Sequence, residues 1–320
     1  SVSAFLLNRS SDLTLCPHSV KSSFFYPSVG ASIVLSEIID MGEKVDFLKI
    51  RGSWASVGMP FARFIANPTY AWNNSTGAWE TAKSYPIYDL KPEKTNSWEV
   101  GLTFKAFDGF SLDVSYYDTK TFNQTFDSQL SVSSGYTNLY VQTGNVRNRG
   151  VELALGYENQ WGIFGWSTNY TFSTNKNEVL ELMENYTHPE TGKVISLPHL
   201  EVGRLGNAAF LLTQGGTLGD LYTTVDLNRD DMGNVYIDRE GNISRNTEIG
   251  YKKIGSVFSK ANMAWNNEFN VAGVNFGFMI SARLGGIAYS ATQAYLDNFG
   301  VSEISAVARD NAKRPTIRVI

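Results

Sequence analysis

Apolar and polar residues alternate with a period of two along much of this chain, in paired runs. The clearest pair starts at Trp98: Trp98, Val100, Leu102, Phe104 and Ala106 share one side of an extended strand, and Ser97, Glu99, Gly101, Thr103 and Lys105 the other. Successive strand side chains point to opposite faces, so one face is apolar and the other wet. After Phe107-Asp108-Gly109 the pattern resumes with Phe110, Leu112, Val114 and Tyr116 against Ser111, Asp113 and Ser115. Asp-Gly tolerates positive φ at both positions, which predicts a β-hairpin over about 96–122.

Two more hairpins follow the same rule. Val151, Leu153, Leu155 and Tyr157 pair with Phe164, Trp166, Thr168, Tyr170 and Phe172 around a turn at 159–162. Val257, Ala261, Met263 and Trp265 pair with Val274, Phe276, Phe278, Ile280 and Ala282 around a turn near Asn270. Single strands are expected near 27–35 and 48–54. Residues 1–23 have no clear period and read as a loop or truncated start, followed by a barrel section over 24–284. The stretches at about 58–95, 123–144 and 176–253 read as long loops. Residues 285–320 read as an extracellular loop with a short helix near Val301 to Ala312, cut off before the final strands.

Short and long connections therefore alternate, and an antiparallel meander places them at opposite ends of the sheet. Outer-membrane barrels sort their loops this way. Trp54, Trp98, Tyr116 and Trp161 near strand ends fit interface girdles. The wet faces carry Lys49, Arg51, Glu99, Lys105, Asp113, Glu152 and Arg283, which a water-filled lumen accommodates. The expected fold is all-β: an antiparallel transmembrane β-barrel section, about eight strands of a larger barrel, with short periplasmic turns and long extracellular loops.

Composition agrees. Aromatics make up 13% of the 320 residues, with 16 Tyr, 19 Phe and 28 Gly, and mean hydropathy is −0.19. A net charge of −4 argues against a nucleic-acid partner, which needs a basic face. No run approaches the roughly 18 apolar residues of a spanning helix, whereas a barrel strand crosses with about 9–11. Cys16 is the single cysteine, so an internal disulfide is excluded. The apolar start lacks the basic region and cleavage site of a signal peptide.

Five ordered motifs carry a resemblance: Phe25-Tyr26-Pro27-Ser28-Val29; Phe47-Leu48-Lys49-Ile50-Arg51-Gly52-Ser53-Trp54; Leu90-Lys91-Pro92-Glu93-Lys94-Thr95-Asn96-Ser97-Trp98-Glu99-Val100-Gly101; Gly144-Asn145-Val146-Arg147-Asn148-Arg149-Gly150-Val151-Glu152-Leu153; and Ala306-Val307-Ala308-Arg309-Asp310-Asn311. The chain resembles the barrel of TonB-dependent outer-membrane transporters, and within them the SusC/RagA-like subgroup of Bacteroidetes. The resemblance implies a barrel of about 22 strands in outer-membrane lipid, plugged by an N-terminal domain and opened by a TonB complex acting ahead of the plug. It also implies import of an oligosaccharide or peptide under a SusD-like surface lipoprotein. With about eight strands and no plug, the chain is expected to be a fragment that alone transports nothing.

Candidate chemistry is sparse. Tyr70, Trp72 and Trp79 in one loop, and Tyr136 and Tyr140 in another, are candidate substrate contacts because sugar rings stack on aromatic faces; packing the loops together is the competing role. Asp226, Asn228 and Asp230 begin like a calcium loop, but Asp231 stands where its glycine belongs and Ile237 where its glutamate belongs. Gly215-Gly216-Thr217-Leu218-Gly219-Asp220 lacks the phosphate-loop Lys and reads as a flexible connection. Pro92 suits the approach to a strand, and Glu93 a bond to loop amides. Arg147 and Arg149 read as the start of a strand, at headgroup level or paired with lumen carboxylates. His188 and His199 fall in the longest loop, away from any nucleophile motif. No cofactor and no catalytic residue is expected. A siderophore or vitamin receptor, a barrel enzyme, and a soluble glycan-binding or adhesin protein stand as alternatives.

Overall fold

A computed structural model describes residues 2–9, 24–59, 70–80, 92–129, 133, 135–142, 144–182, 186–187, 194–195, 198–229, 231–232 and 245–303. Nine strands form one antiparallel sheet with neighbours in chain order: β1 Val2–Arg9, β2 Phe24–Val34, β3 Val45–Met59, β4 Glu93–Ala106, β5 Phe110–Phe122, β6 Val146–Trp161, β7 Phe164–Val179, β8 Ala261–Val271 and β9 Val274–Leu284. The sheet is open, with β1 and β9 at its edges. β1 departs from the loop expected before residue 24: its register sets Ala4 against Val29 and Val2 against Ala31. Phe5, Leu6 and Leu7 are consecutive and break the period of two, which hid the strand.

The three short turns lie at one end. Ala106 and Phe110 close over Phe107, Asp108 and Gly109, all at positive φ (56°, 50° and 128°). Trp161 and Phe164 close over Gly162 and Ile163. Val271 and Val274 close over Ala272 (φ 50°) and Gly273 (φ 87°), two residues beyond the turn expected near Asn270. Two positive-φ central residues match the right-handed twist of the strands they join. The β2–β3 connection, at this same end, carries one 3-10 turn, Leu35–Glu37.

Register sorts the side chains into two faces. One transverse row runs Ile50, Leu102, Val114, Leu153, Phe172, Met263 and Ala282, and the next Leu48, Phe104, Leu112, Leu155, Tyr170, Trp265 and Ile280. The row between them on the opposite face begins Lys49, Thr103, Asp113, and the one beyond it Arg51, Gly101, Ser115, Glu152, Ser173, Asn262 and Arg283. The apolar face is uncovered: Val100 is 50% exposed, Ile280 57% and Phe276 64%. Several strands of contiguous apolar surface exceed what water tolerates on a soluble protein, so the face requires lipid. Aromatic side chains gather at both ends of it. Trp54 faces Trp98, whose ring meets Tyr116 at 5.3 Å; near the short turns, Trp161 stacks on Phe164 at 6.0 Å and Trp166 on Phe269 at 6.4 Å.

The long connections hold more order than their composition suggests. Ala71–Asn73 pairs with Ala78–Glu80, and Thr125–Gln129 with Asn138–Gln142. Within 176–253, read as loop, His199–Leu205, Ala208–Thr213, Asp220–Thr223 and Lys252–Ser256 build a second, four-stranded sheet. Four of the five residues in the run Ala208–Leu212 are buried, so it shows no alternation. The buried core lies here, away from the lipid-compatible face: Val146 and Val179 from the wall pack with Leu182, Leu200 and Leu212. One helix, α1 Ala291–Asn298, is capped by Ser290, whose Oγ accepts the Gln293 amide at 3.1 Å. It precedes the helix expected near Val301 to Ala312, most of which lies outside the described residues. No helix among the described residues is long and apolar enough to cross a membrane.

Candidate functional site

The polar face carries its charges as a connected network. Arg51 on β3 donates Nη1 to Asp113 Oδ2 and Nη2 to Asp113 Oδ1, both at 2.9 Å. It also donates to Thr103 Oγ1 at 3.0 Å, and Thr103 donates to Asp113 at 2.6 Å. Glu99 lies 3.6 Å from Arg51 Nε. Asp113 is on β5, so the guanidinium must cross β4, and Gly101 makes the space: a Cβ there would stand 2.6 Å from Arg51 Nε and Cζ. A bidentate fork fixes direction as well as charge. Arg51, Glu99 and Asp113, together with Glu152, Ser173 and Asn262, line an open depression of about 440 Å³. The polar patch is net acidic, since Glu99, Asp113 and Glu152 surround one arginine.

At the long-loop end the wall holds the loop sheet by its backbone. Val179 N donates to Gly216 O and Gly215 N to Val179 O, each at 2.8 Å. Leu218 N donates to Asn177 Oδ1 at 2.8 Å, and Asn177 Nδ2 reaches Asn148 Oδ1 at 2.9 Å. Asn148, Asn177, Val146 and Val179 share the face of Arg51, so the loop sheet packs on the polar side. The glycine-rich stretch is therefore a docking turn rather than the flexible connection expected. Gly215 has φ 76°, and a Cβ on Gly216 would lie 2.6 Å from Thr213 Oγ1 and 2.8 Å from Asp220 Oδ2. Asp220 is fully buried, accepts from Lys253 Nζ and takes Thr217 Oγ1 at 2.7 Å and Thr217 N at 3.0 Å. Burial works against its charge, but the bonds from Lys253 and Thr217 outweigh it and hold the carboxyl below its ordinary range.

Of the aromatic candidates, Trp72 and Trp79 are brought together as cross-strand partners, edge to face at 5.5 Å, 50% and 67% exposed. Tyr70 adjoins them and is exposed. Tyr136 and Tyr140 are half-buried in the separate ribbon of Thr125–Gln129 and Asn138–Gln142, where Tyr140 faces Asp127. Asp226 is engaged by Lys252 and the Leu227 amide, which lower its pKa; Asp230 lies outside the described residues. Among the described residues no group of three acidic, His or Cys side chains is placed to hold a metal. His199 stands edge-on to Tyr251 at 5.0 Å, and His188 lies outside the described residues. Glu93 accepts the Thr125 amide at 2.8 Å, as expected. Arg147 pairs with Asp118 on the apolar face's own side, through Nε at 2.9 and 3.1 Å, and not with a lumen carboxylate. Gly150 is covered by Tyr117, and a Cβ there would meet Thr174 O at 2.0 Å. Thr103 was legible only as a polar-face residue, and nothing in the sequence signals that it joins Arg51 and Asp113 as they meet across three strands.

A single sheet with a lipid-compatible face, an ionised face, short turns at one end and packed loops at the other is a section of an outer-membrane barrel wall. The chain belongs to the family described as TonB dependent receptor-like, β-barrel, which matches residues 9–298. It is 26% identical over 211 residues to TonB-dependent receptor P3 of Formosa agariphila, covering 62% of this chain and 21% of that protein. Against TonB-dependent receptor SusC of Bacteroides thetaiotaomicron it is 24% identical over 270 residues, covering 76% and 25%. The fold matches the structure of the RagAB peptide transporter with a TM-score of 0.61 at 19% identity, covering 82% of this chain and 30% of that one. The chain thus spans about a sixth to a quarter of the length of the curated relatives it matches. Membership of this family makes it an outer-membrane protein, and short turns at one end with long loops at the other match the periplasmic turns and extracellular loops of outer-membrane barrels.

Proposed function

We propose that the chain is part of the wall of an outer-membrane active importer of oligosaccharides or peptides. An N-terminal plug drawn by a TonB complex opens the path, and a SusD-like lipoprotein covers the extracellular mouth. The wall performs no covalent chemistry. Its apolar face holds it in lipid, its polar face offers a substrate water-like hydrogen bonding, and its loop aromatics make the first contacts. The observation that carries this reading is the polar network of Arg51, Thr103, Asp113 and Glu99, ionised groups that a wall facing lipid on both sides could not hold. Its test is deletion of the coding gene in the host. Uptake of labelled oligosaccharides and peptides should fall, return with the intact gene, and stop when an uncoupler collapses the proton gradient. Uptake unchanged by deletion for both substrate classes would overturn the proposal.

A further inference from the structure

The outward face above the apolar band carries a basic collar. On β6 the apolar outward positions run from Val151 to Trp161, ten residues or about 33 Å along the strand, which a tilt near 40° reduces to a band about 25 Å tall. The first residues beyond it therefore sit at headgroup level. The boundary descends across the sheet as strand tilt requires: the continuous outward run of aromatic and aliphatic residues ends at Trp98 on β4, Tyr116 one pair lower on β5, Val151 level with it on β6, and Phe172 lower again on β7, with Phe122 standing apart beyond Asp118 and Lys120 at the end of β5.

Cations follow that oblique line. Lys94 on β4, Lys120 on β5, Arg147 and Arg149 on β6 and Lys176 on β7 all have outward parity in the next few positions. Two carboxylates stand among them. Asp118 is 3% exposed and taken up by Arg147; Glu178 is shared, 4.0 Å from Arg149 and 3.4 Å from Lys176. Lys94 and Lys120 are exposed, Lys176 has 62% of its side chain exposed, and among the described residues neither Lys94 nor Lys120 meets a carboxylate. Lys120, Arg149 and Lys176 lie on consecutive strands, about 10 Å across, a span one headgroup can bridge.

We infer that this collar is a binding site for the phosphorylated headgroup of an outer-leaflet lipid. Amine and guanidinium donors left over after Asp118 and Glu178 are satisfied meet the lipid phosphate, and the acyl chains lie along Tyr116, Val151 and Phe172 below. Such a site fixes the height and tilt of the wall, and its failure would leave substrate specificity untouched.

The test uses the full-length product carrying this segment, purified in an uncharged detergent. Micelles doped with bisphosphorylated lipid A, or with an uncharged diacyl glucoside, are titrated against the native protein and against a Lys120→Gln, Arg149→Gln, Lys176→Gln variant. Each juxtamembrane cation strengthens binding about fivefold, so the variant should bind lipid A on the order of 100-fold more weakly. The native affinity should drop as salt rises, and Lys105→Gln, on the polar face, should change nothing. Equal affinity for the glucoside, unchanged affinity in the triple variant, or displacement of lipid A by millimolar inorganic phosphate would each overturn the assignment to a lipid. If the variant fails to fold, the salt and glucoside arms on the native protein still decide.

Discussion

Gly109→Ala should damage the wall far more than the same change at the next periplasmic turn. Gly109 sits at φ 128°, a region open essentially to glycine, and a Cβ there would lie 1.8 Å from Glu158 O and 2.9 Å from its carbonyl carbon. The turn is also tied to β6 by the Glu158 amide, which donates to Gly109 O at 3.0 Å. Relief requires the turn to swing away from β6, which adds a lost hydrogen bond of about 1 kcal/mol to backbone strain of about 1–3 kcal/mol. The total is about 2–4 kcal/mol. Gly162 has φ 62° with nothing within 4 Å of its Cβ position, so Gly162→Ala carries only the left-handed penalty of about 1–2 kcal/mol. Urea unfolding of both full-length variants in lipid vesicles measures the difference, and outer-membrane levels in cells should follow the same order. Equal losses at the two glycines would refute the packing of this turn against β6.

Other expectations are narrower. Leu212→Ala, at a site 1% exposed in the extracellular core, should cost about 2–4 kcal/mol, seen as faster proteolysis within 198–256 while the wall stays resistant. Asp220 has a lowered folded pKa, so its contribution is complete above the unfolded value of about 3.9 and fades as pH falls through the lower folded value. Hydrogen exchange in the loop sheet, compared between native protein and Asp220→Asn at each pH, should differ most at pH 7 and converge below about pH 4; a constant gap would contradict this. Trp72→Ala and Trp79→Ala should each weaken oligosaccharide binding about fivefold by calorimetry, the worth of one aromatic contact of about 1 kcal/mol; no change in either would remove these rings from the substrate path.

What the chain reveals in its sequence depends on how each segment is buried. β4 to β9 are half-exposed to lipid and half to water, so their period of two survives, and Trp54, Trp98 and Trp161 mark the interfaces. Residues 208–212 are buried on both faces, which erases alternation; the Gly206-Asn207 pair ahead of them was the remaining signal of a hairpin. The glycines at 215, 216 and 219 look like slack because composition cannot show that Gly216 faces Asp220 and Gly219 faces Val257 and Phe258. Arg51 and Asp113 were each legible as wet-face residues, but their contact depends on the registers of two strand pairs and on the missing side chain of Gly101. The paired tryptophans at 72 and 79 were named for chemistry alone; the ribbon that aligns them is too short to leave a pattern.

The central claim is that odd positions of β6 face lipid and even ones face the lumen. Single cysteines at Glu152, Leu153, Ala154 and Leu155, introduced on a Cys16→Ser background and labelled with bimane, test it in outer-membrane vesicles containing brominated lipid. Quenching should be strong at 153 and 155 and weak at 152 and 154. Uniform quenching, or none at any of the four, would contradict a one-layer wall between lipid and water.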